Sequence, residues 1–507
     1  MFMSKKIIMM AAVMACSSLN VMAGGLLTNT NQNAAFLRNF AQEGQITLTS
    51  LYANPAGNAF LSQGWHLTLN SQSAWQERKI NTTFPLFALN QENPGQTTHE
   101  FVGEATAPVI PSFSVSHNWE RWSLSAHFAL NGGGGKCEFN KGLGSFEALY
   151  AGTLYQQVPG MVNAQLASIL PTQVAAGLVQ AGVPEPYASA LAATTTYGSQ
   201  LSGYNLDAYM KGRSYYFGLQ IGGSYKILDN LAGYIGVRGL YATCNYNGYV
   251  QDISANYAYS YEVPANAALG FPGTSGVGGG QSDLSSHSLA MNCDQTGIGF
   301  TPIFGLDWKI NNQWNVAIKY EAPTRMTLKN KSEMNNFAQS QAESDGSALA
   351  QFKDGEKVRE DIPAILAAGA EYSPIEKLRL DASAKVYFDK SARKYGNKED
   401  LIDNNTWEVA LGAEYDLCKL VTVSASWQST NYGLNDKYMN DLSFNLSSNS
   451  LGLGVRLHPS KYFNVDLGYM HTMYGDRTVD TQTAAGVKSD VYSRKNDVIG
   501  VGVNLFF

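Results

Sequence analysis

From Gly64 onward the chain alternates apolar and polar residues in segments of about ten, the length of a tilted membrane strand, and turn residues break the segments. Over Tyr462 to Tyr474, Phe463, Val465, Leu467, Tyr469 and Met473 fall on one face and Asn464, Asp466, Gly468 and Thr472 on the other, because successive strand side chains point to opposite sides. The same period recurs in Trp122/Leu124/Ala126/Phe128/Leu130, Trp314/Val316/Ile318/Tyr320, Leu378/Leu380/Ala382/Ala384/Val386/Phe388, Trp407/Val409/Leu411/Tyr415 and Val421/Val423/Ala425/Trp427. The alternate positions carry Lys319, Glu321, Arg379, Asp381, Lys385, Glu408, Glu414 and Arg456, charges that belong in a wet interior.

The connections fall into two classes. Tight ones lie at Asn118 to Arg121, Leu228 to Asn230, Asn311 to Gln313, Pro374 to Lys377, Asp416 to Lys419 and Pro459 to Lys461. Long ones lie at about 79–107, 132–212, 247–290, 330–357, 389–403, 431–444 and 475–494. Their strict alternation predicts an all-β fold, a 14-stranded antiparallel transmembrane β-barrel over residues 64–507. Short turns face the periplasm and long loops the outside in bacterial barrels, which puts both ends of the mature chain in the periplasm and the protein in the outer membrane. A soluble sandwich would alternate similarly, but aromatics recur near the strand ends as an interfacial girdle requires. The last strand sets Ile499, Val501, Val503, Leu505 and Phe507 on the lipid face. A terminal Phe on such a strand resembles the signal read by the outer-membrane assembly machinery, an expected partner.

Composition agrees. Only 15% of residues are charged, against about 25% in a typical soluble chain, while the chain holds 49 Gly, 28 Tyr and 22 Phe. The longest apolar run, Ile7 to Ala15, falls short of the ~18 residues of a membrane-spanning helix, so the chain crosses with strands. The net charge of −6 argues against a nucleic-acid partner. Lys5 and Lys6, the apolar run, and Val21, Met22 and Ala23 read as a secretory signal, residues 1–23, cleaved before Gly24. The competing reading is lipoprotein processing at Cys16, after Val13, Met14 and Ala15.

Chemistry is sparse. Five cysteines without a C-x-x-C pair or a His cluster give no metal site, and the Gly-rich stretches 132–135 and 276–280 open no nucleotide-binding helix, so no cofactor is expected. Cys244 and Cys293 flank the large 247–290 loop in an oxidising compartment, where a disulfide would tie it; Cys137 and Cys418 fall at opposite membrane faces. An outer-membrane lipid hydrolase would need one of the seven His beside a Ser and an orienting group. His127, alternating with Ser123 and Ser125, is the nearest approach, and a Ser-rich strand produces it by coincidence; the chain is read as a non-enzyme.

In the loop 132–212, Glu185 is the only charge between Ala148 and Gly203, although the segment should face water. Val162, Leu166, Ile169 and Leu170 recur at helical spacing, as do Val174 and Leu178, with Pro171 and Pro184 punctuating two or three short helices. Such helices either pack as a lid or leave a groove where an apolar ligand docks. Leu166, Ile169, Leu170, Val174 and Leu178 are the candidate ligand-binding residues.

Between signal and barrel, residues 24–63 contain Tyr52, Ala53, Asn54, Pro55, Ala56 and Gly57. This segment resembles the N-terminal hatch of the FadL-like outer-membrane transporters of long-chain fatty acids and other hydrophobic compounds. Further matches are Gly297-Ile298-Gly299-Phe300 leading to Tyr320-Glu321-Ala322-Pro323, Asp361-Ile362-Pro363 leading to Gly369, and Trp407 leading to Gly412 and Tyr415. The resemblance implies a monomeric barrel plugged by the hatch around Asn54, Pro55 and Ala56, with extracellular capture of a hydrophobic small molecule. It also implies release into outer-membrane lipid through a lateral gap beside a kinked third strand, here Arg121 to Asn131 running into Gly132, Gly133, Gly134 and Gly135. Gly132 and Gly133 are the gate candidates, although a plain flexible loop entrance reads equally well from the residues. No counterpart of the family's carboxylate-holding basic residues stands out, so the ligand need not be a fatty acid. A structural or adhesive surface barrel is the alternative.

Overall fold

In the computed structural model, which describes residues 25–344 and 346–507, one antiparallel sheet closes on itself. The signal segment and the alternative processing site at Cys16 lie outside the described residues. Fourteen strands form the wall. They are β1 Gly64–Thr83, β2 Thr98–Asn118, β3 Trp122–Phe139, β4 Thr196–Leu228, β5 Leu231–Val263, β6 Leu289–Lys309 and β7, built from Trp314–Glu321 and Thr327–Met334. There follow β8, from Lys357–Arg359 and Ile365–Ile375, β9 Leu378–Tyr387, β10 Ile402–Cys418, β11 Val421–Leu434, β12 Ser448–Ser460, β13 Phe463–Tyr474 and β14 Gly486–Phe506. Two further strands, Thr274–Asp283 and Arg477–Thr483, extend hairpins beyond the wall on β5 and β14. Closure is by β1 on β14, from His66 opposite Phe506 to Thr83 opposite Ser489.

Tight turns and long connections alternate as the pattern requires, but the strands are longer than the alternation suggested. β4 and β5 each run for 33 residues, where about 9–11 suffice to cross a bilayer. The long connections shrink accordingly: 132–212 reduces to 140–195, and most of 247–290 is paired sheet. The reason is physical. Above the bilayer the outward face has no lipid to satisfy, so Arg213, Lys211, Asn245 and Asn247 replace apolar residues and the signal fades while backbone pairing continues.

Outward positions in the lower part of the wall are apolar and uncovered, among them Leu124, Ile221, Ile235, Phe304, Leu411 and Leu453. Trp122, Tyr225, Trp308, Trp314 and Tyr462 ring the edge near the tight turns, as an interfacial girdle does. Inward positions carry Lys319, Glu321, Asp381, Lys385, Glu408, Glu414 and Asp466, all buried. The wet interior expected of them is instead filled at this level by residues 25–63, which are themselves almost wholly buried. With this topology, tags near Asn266 or Gly396 are expected to react with a surface label on intact cells and tags near Asp229 or Ser460 to stay hidden; the reverse labelling would refute the orientation.

Candidate functional site

Residues 25–63 enter the barrel as irregular chain around one short helix, α1, Ala34–Arg38. Asn33 caps it, its Oδ1 accepting from Phe36 N at 2.9 Å. The wall is shaped to receive α1. Gly454, Gly468 and Gly500 lie side by side on β12, β13 and β14. A Cβ on Gly468 would stand 2.7 Å from Leu37 Cβ, one on Gly500 2.7 Å from Leu37 Cδ1, and one on Gly454 would collide with Arg38. Only bare backbone lets the helix approach this closely.

Charge fixes the position that shape permits. Arg38 Nε donates to Asp466 Oδ1 at 2.8 Å and its Nη2 lies 3.1 Å from Glu414 Oε1. Glu43 meets Lys385 at 3.0 Å. The Tyr52 ring is held between the Lys319 ammonium, 4.1 Å from its centroid, and the Arg238 guanidinium at 4.8 Å, while Glu321 bridges both cations at 2.6–2.7 Å. Buried ion pairs contribute little net stability over an apolar replacement, but breaking one is costly, so such pairs set position more than they add strength. Asn54 accepts from Gly57 N at 3.1 Å, donates to Gln45 O at 3.0 Å and also reaches Asp307 on β6. Pro55 O accepts from Ser224 Oγ at 2.9 Å, and Ala56 packs on Tyr234 and Ile303. These three residues thus sit against β4, β5 and β6.

The wall is broken at one place beside this plug. β2 and β3 pair at Gly103 opposite Phe139 and Glu104 opposite Glu138, and again only from Phe113 opposite Phe128, leaving 105–112 unpaired against 129–137. Both strands contribute to the break. On β2, Pro108 and Pro111 have no N–H to donate. On β3, the register to β4 shifts at Gly132 and Gly135, with Gly133 at φ 91° and Gly135 at φ 67°, left-handed values that favour glycine. The N-terminal arm of the plug fills part of the gap: Asn29 N donates to Asn131 O at 2.9 Å, Asn29 Nδ2 to Leu130 O at 3.0 Å, and Thr28 bridges to Gly132. Gly132 therefore lies under the arm, whereas Gly133 faces β4. The two prolines were the missed sequence signal.

Above the wall the expected two or three short helices are one long helix, α2, Gly144–Gln180, which continues through Pro159 and Pro171, followed after Pro184 by α3, Glu185–Ala192. Proline in a helix removes one hydrogen bond. Ser199 Oγ on β4 donates to Pro159 O at 2.9 Å and ties the helix to the sheet at that point. Leu154, Val158, Val162, Leu166, Leu170 and Leu178 form a buried stripe at every fourth residue, broken only by half-buried Val174, along the extended β4–β5 hairpin. Ile169 points the other way and is 42% exposed, in company with Tyr155, Met161 and Val179. Of the five candidate residues, then, Leu166, Leu170 and Leu178 hold the helix down and Ile169 faces outward. Under the N-terminal half of α2, Leu154, Val158, Met161, Ile253 and Leu284 line a narrow apolar crevice of about 30 Å³, room for roughly one water molecule. At its rim Tyr150 Oη donates to His287 O at 3.1 Å, and burial pushes the Tyr150 phenol well above its usual pKa. Glu147, at the helix start, is gripped by His99 at 2.9 Å, Asn90 at 2.6 Å and Tyr204 at 2.8 Å.

Two other expectations resolve differently. Cys244 and Cys293 are free thiols: Cys244 stands opposite Gln295 and Cys293 opposite Tyr246, so the pair is diagonal, at a separation of about 7–8 Å typical of such positions, too long to bridge without backbone movement. His127 Nδ1 meets Ser114 Oγ at 2.9 Å across β2–β3 rather than the serines of its own strand. A basic pair escaped notice because the partners are far apart in sequence: Arg78 on β1 is directly opposite Arg494 on β14, both inward and buried, with the Phe444 ring 5.5 Å from the first and the Tyr474 ring 4.8 Å from the second.

No protein-family model and no curated protein matches the sequence. Among solved structures, a FadL homologue of Pseudomonas aeruginosa superposes with a TM-score of 0.58 at 15% identity, covering 96% of this chain and 100% of its own. The Pseudomonas putida toluene transporter TodX follows at TM-score 0.49, 12% identity and coverages of 91% and 94%, and the Ralstonia pickettii toluene transporter TbuX at 0.46, 14%, 91% and 94%. The first of these, matched from end to end, settles the architecture: this chain has the FadL-like outer-membrane barrel fold.

Proposed function

We propose that this protein carries hydrophobic small molecules, long-chain fatty acids or similar lipophilic compounds, through the outer membrane by capture outside, passage along the plug and lateral exit through the wall. The observation that carries the reading is the break between β2 and β3, stoppered by the arm at Asn29 and Thr28. A barrel that served only as a scaffold has no use for a wall opening backed by a stopper held on a few hydrogen bonds. The capture side is supported by α2, whose outward residues Met161 and Ile169 offer apolar area in a segment almost without charge. Burying ~200 Å² of an acyl chain there contributes about 5 kcal/mol before association costs, which sets capture in the weak micromolar-to-millimolar range. Weak capture suits a site that must release its ligand inward. Arg78 and Arg494, opposite each other in the lumen, would suit a ligand with an anionic end.

Uptake of a labelled fatty acid or aromatic hydrocarbon by cells carrying the protein tests this. Met161→Ser with Ile169→Ser should lower uptake several-fold with heat-modifiable barrel unchanged, because both side chains are uncovered. Leu166→Ser with Leu170→Ser should also loosen α2, which is read as faster proteolysis of the 140–195 connection. Full uptake in the first pair would remove the outer face of α2 from the route, and no uptake above empty-vector cells in the parent protein would sink the transport reading.

A further inference from the structure

On the outer face of the wall, two pairs of cations stand directly opposite each other where the strand ladder should disfavour them. Lys136 on β3 is opposite Arg213 on β4, and Lys329 on β7 is opposite Lys357 on β8. Like charges in register across a strand pair repel, and sheets normally avoid the arrangement. All four side chains are outward, since their neighbours Cys137, Ser214, Leu328 and Val358 point inward and are buried.

The first pair lies at the upper edge of the lipid-facing belt. On β4 the outward sequence climbing from the tight turn is Ile221, Leu219, Phe217, Tyr215 and then Arg213, with Lys211 next. On β6 it is Phe304, Pro302, Phe300, Ile298 and then Thr296, whose partner across the ladder is Lys329. The first pair is therefore the first outward charge above the lipid-facing belt on β4, with Tyr215 beneath Arg213; at the second, Thr327 and the exposed Arg325 lie beneath Lys329 and Arg359 lies beneath Lys357, so the positive surface there reaches down to the belt. That is headgroup height. Acids neutralise Lys136 and leave the other cations of the two pairs without an ion pair. Glu138 takes Lys136 at 2.5 Å and Tyr209 Oη at 2.6 Å, and Asp294 stands opposite Lys331 beyond ion-pair distance. Among the described residues, Lys211, Arg213, Lys329 and Lys357 make no ion pair, in a chain whose net charge is negative.

We propose that Lys136, Lys211 and Arg213, and on the far side Lys329 and Lys357, are two binding sites for the phosphorylated headgroup of outer-leaflet glycolipid. A phosphate oxyanion between two opposed cations converts their repulsion into two charge-assisted contacts, and the acyl chains of the same lipid continue down the belt beneath. That continuity selects a lipid over a free anion. The first site abuts the glycine-rich bend of β3, so a lipid held there also borders the wall opening. The inference does not depend on what, if anything, the barrel transports.

The test uses the full-length protein in mild detergent, with lipid A as the probe and bound lipid read by native mass spectrometry. The parent should retain lipid A, lose it at least tenfold on replacement by the dephosphorylated lipid, and keep it in millimolar inorganic phosphate. K211Q/R213Q combined with K329Q/K357Q should lower lipid A occupancy at least tenfold while folded barrel is unchanged on a heat-modifiability gel. Equal retention of dephosphorylated lipid, or full retention by the quadruple variant, would overturn the proposal. Displacement by inorganic phosphate would reassign the sites to a free anion. Should the variant fail to assemble, the lipid comparison on the parent decides alone.

Discussion

Replacing Arg38 by Leu is expected to unseat the plug while leaving the wall intact. The guanidinium is the plug's link to β10 and β13, through Glu414 and Asp466, at a depth where neither carboxylate meets water. Removing one partner of a buried pair typically costs ~3–5 kcal/mol. Here the cost should fall at the low end, because Asp466 keeps Arg456 at 2.7 Å and Glu414 keeps Arg379 at 3.5 Å. The wall therefore survives and the loss falls on docking of α1. Single-channel conductance in planar bilayers should rise toward that of a variant lacking residues 24–63, while Arg38→Lys should stay near the parent. Parental conductance in both Arg38→Leu and the deletion would mean that other residues close the lumen.

The second large effect separates two neighbouring glycines. Gly132 has a backbone that any residue can adopt, but a Cβ there would collide with Leu27 O, so Gly132→Val should push the arm off the wall and break the bond from Asn29 N to Asn131 O. Entry of a hydrophobic dye into intact cells should increase several-fold with barrel yield unchanged. Gly133→Val acts elsewhere. Its φ of 91° disfavours a side chain, and its Cβ would meet the Ser214 backbone of β4, so assembly rather than permeability should suffer, read as a loss of heat-modifiable barrel. Identical behaviour of the two variants would refute the assignment of one glycine to the arm and the other to the ladder.

Strand number, order and direction were legible because lipid forces one face of each strand to be apolar and the turn residues punctuate the pattern. Where that force stops, legibility stops with it. The upper halves of β4 and β5 are as regularly paired as the lower, yet their outward residues, such as Asn245 and Lys211, read as loop. The helix α2 was legible as apolar helix and not as a single one, because Pro159 and Pro171 are strong breakers in isolation, while here the apolar stripe packed on the sheet beneath carries the helix through both. Cys244 and Cys293 sit on neighbouring strands as expected, but a two-residue offset decides bonding, and register is not readable to that accuracy. Arg78 and Arg494 meet only because the ends of the chain close on each other. The break in the wall was half legible: the glycines on β3 were noticed, and Pro108 and Pro111 on the facing strand were not.

The row of glycines under α1 has a consequence for how the barrel is made. Those glycines belong to β12, β13 and β14, and Ala34 N donates to Asn70 Oδ1 on β1 at 3.3 Å, so one short helix straddles the seam where the first strand meets the last. Zipping that seam joins residues more than 400 apart in sequence, the step with the largest loop to close and hence the slowest. The helix precedes β1 in the chain and, once seated on the glycine row, touches both sides of the seam. In that position it tethers β1 beside β14, and the chain carries its own template for becoming a cylinder.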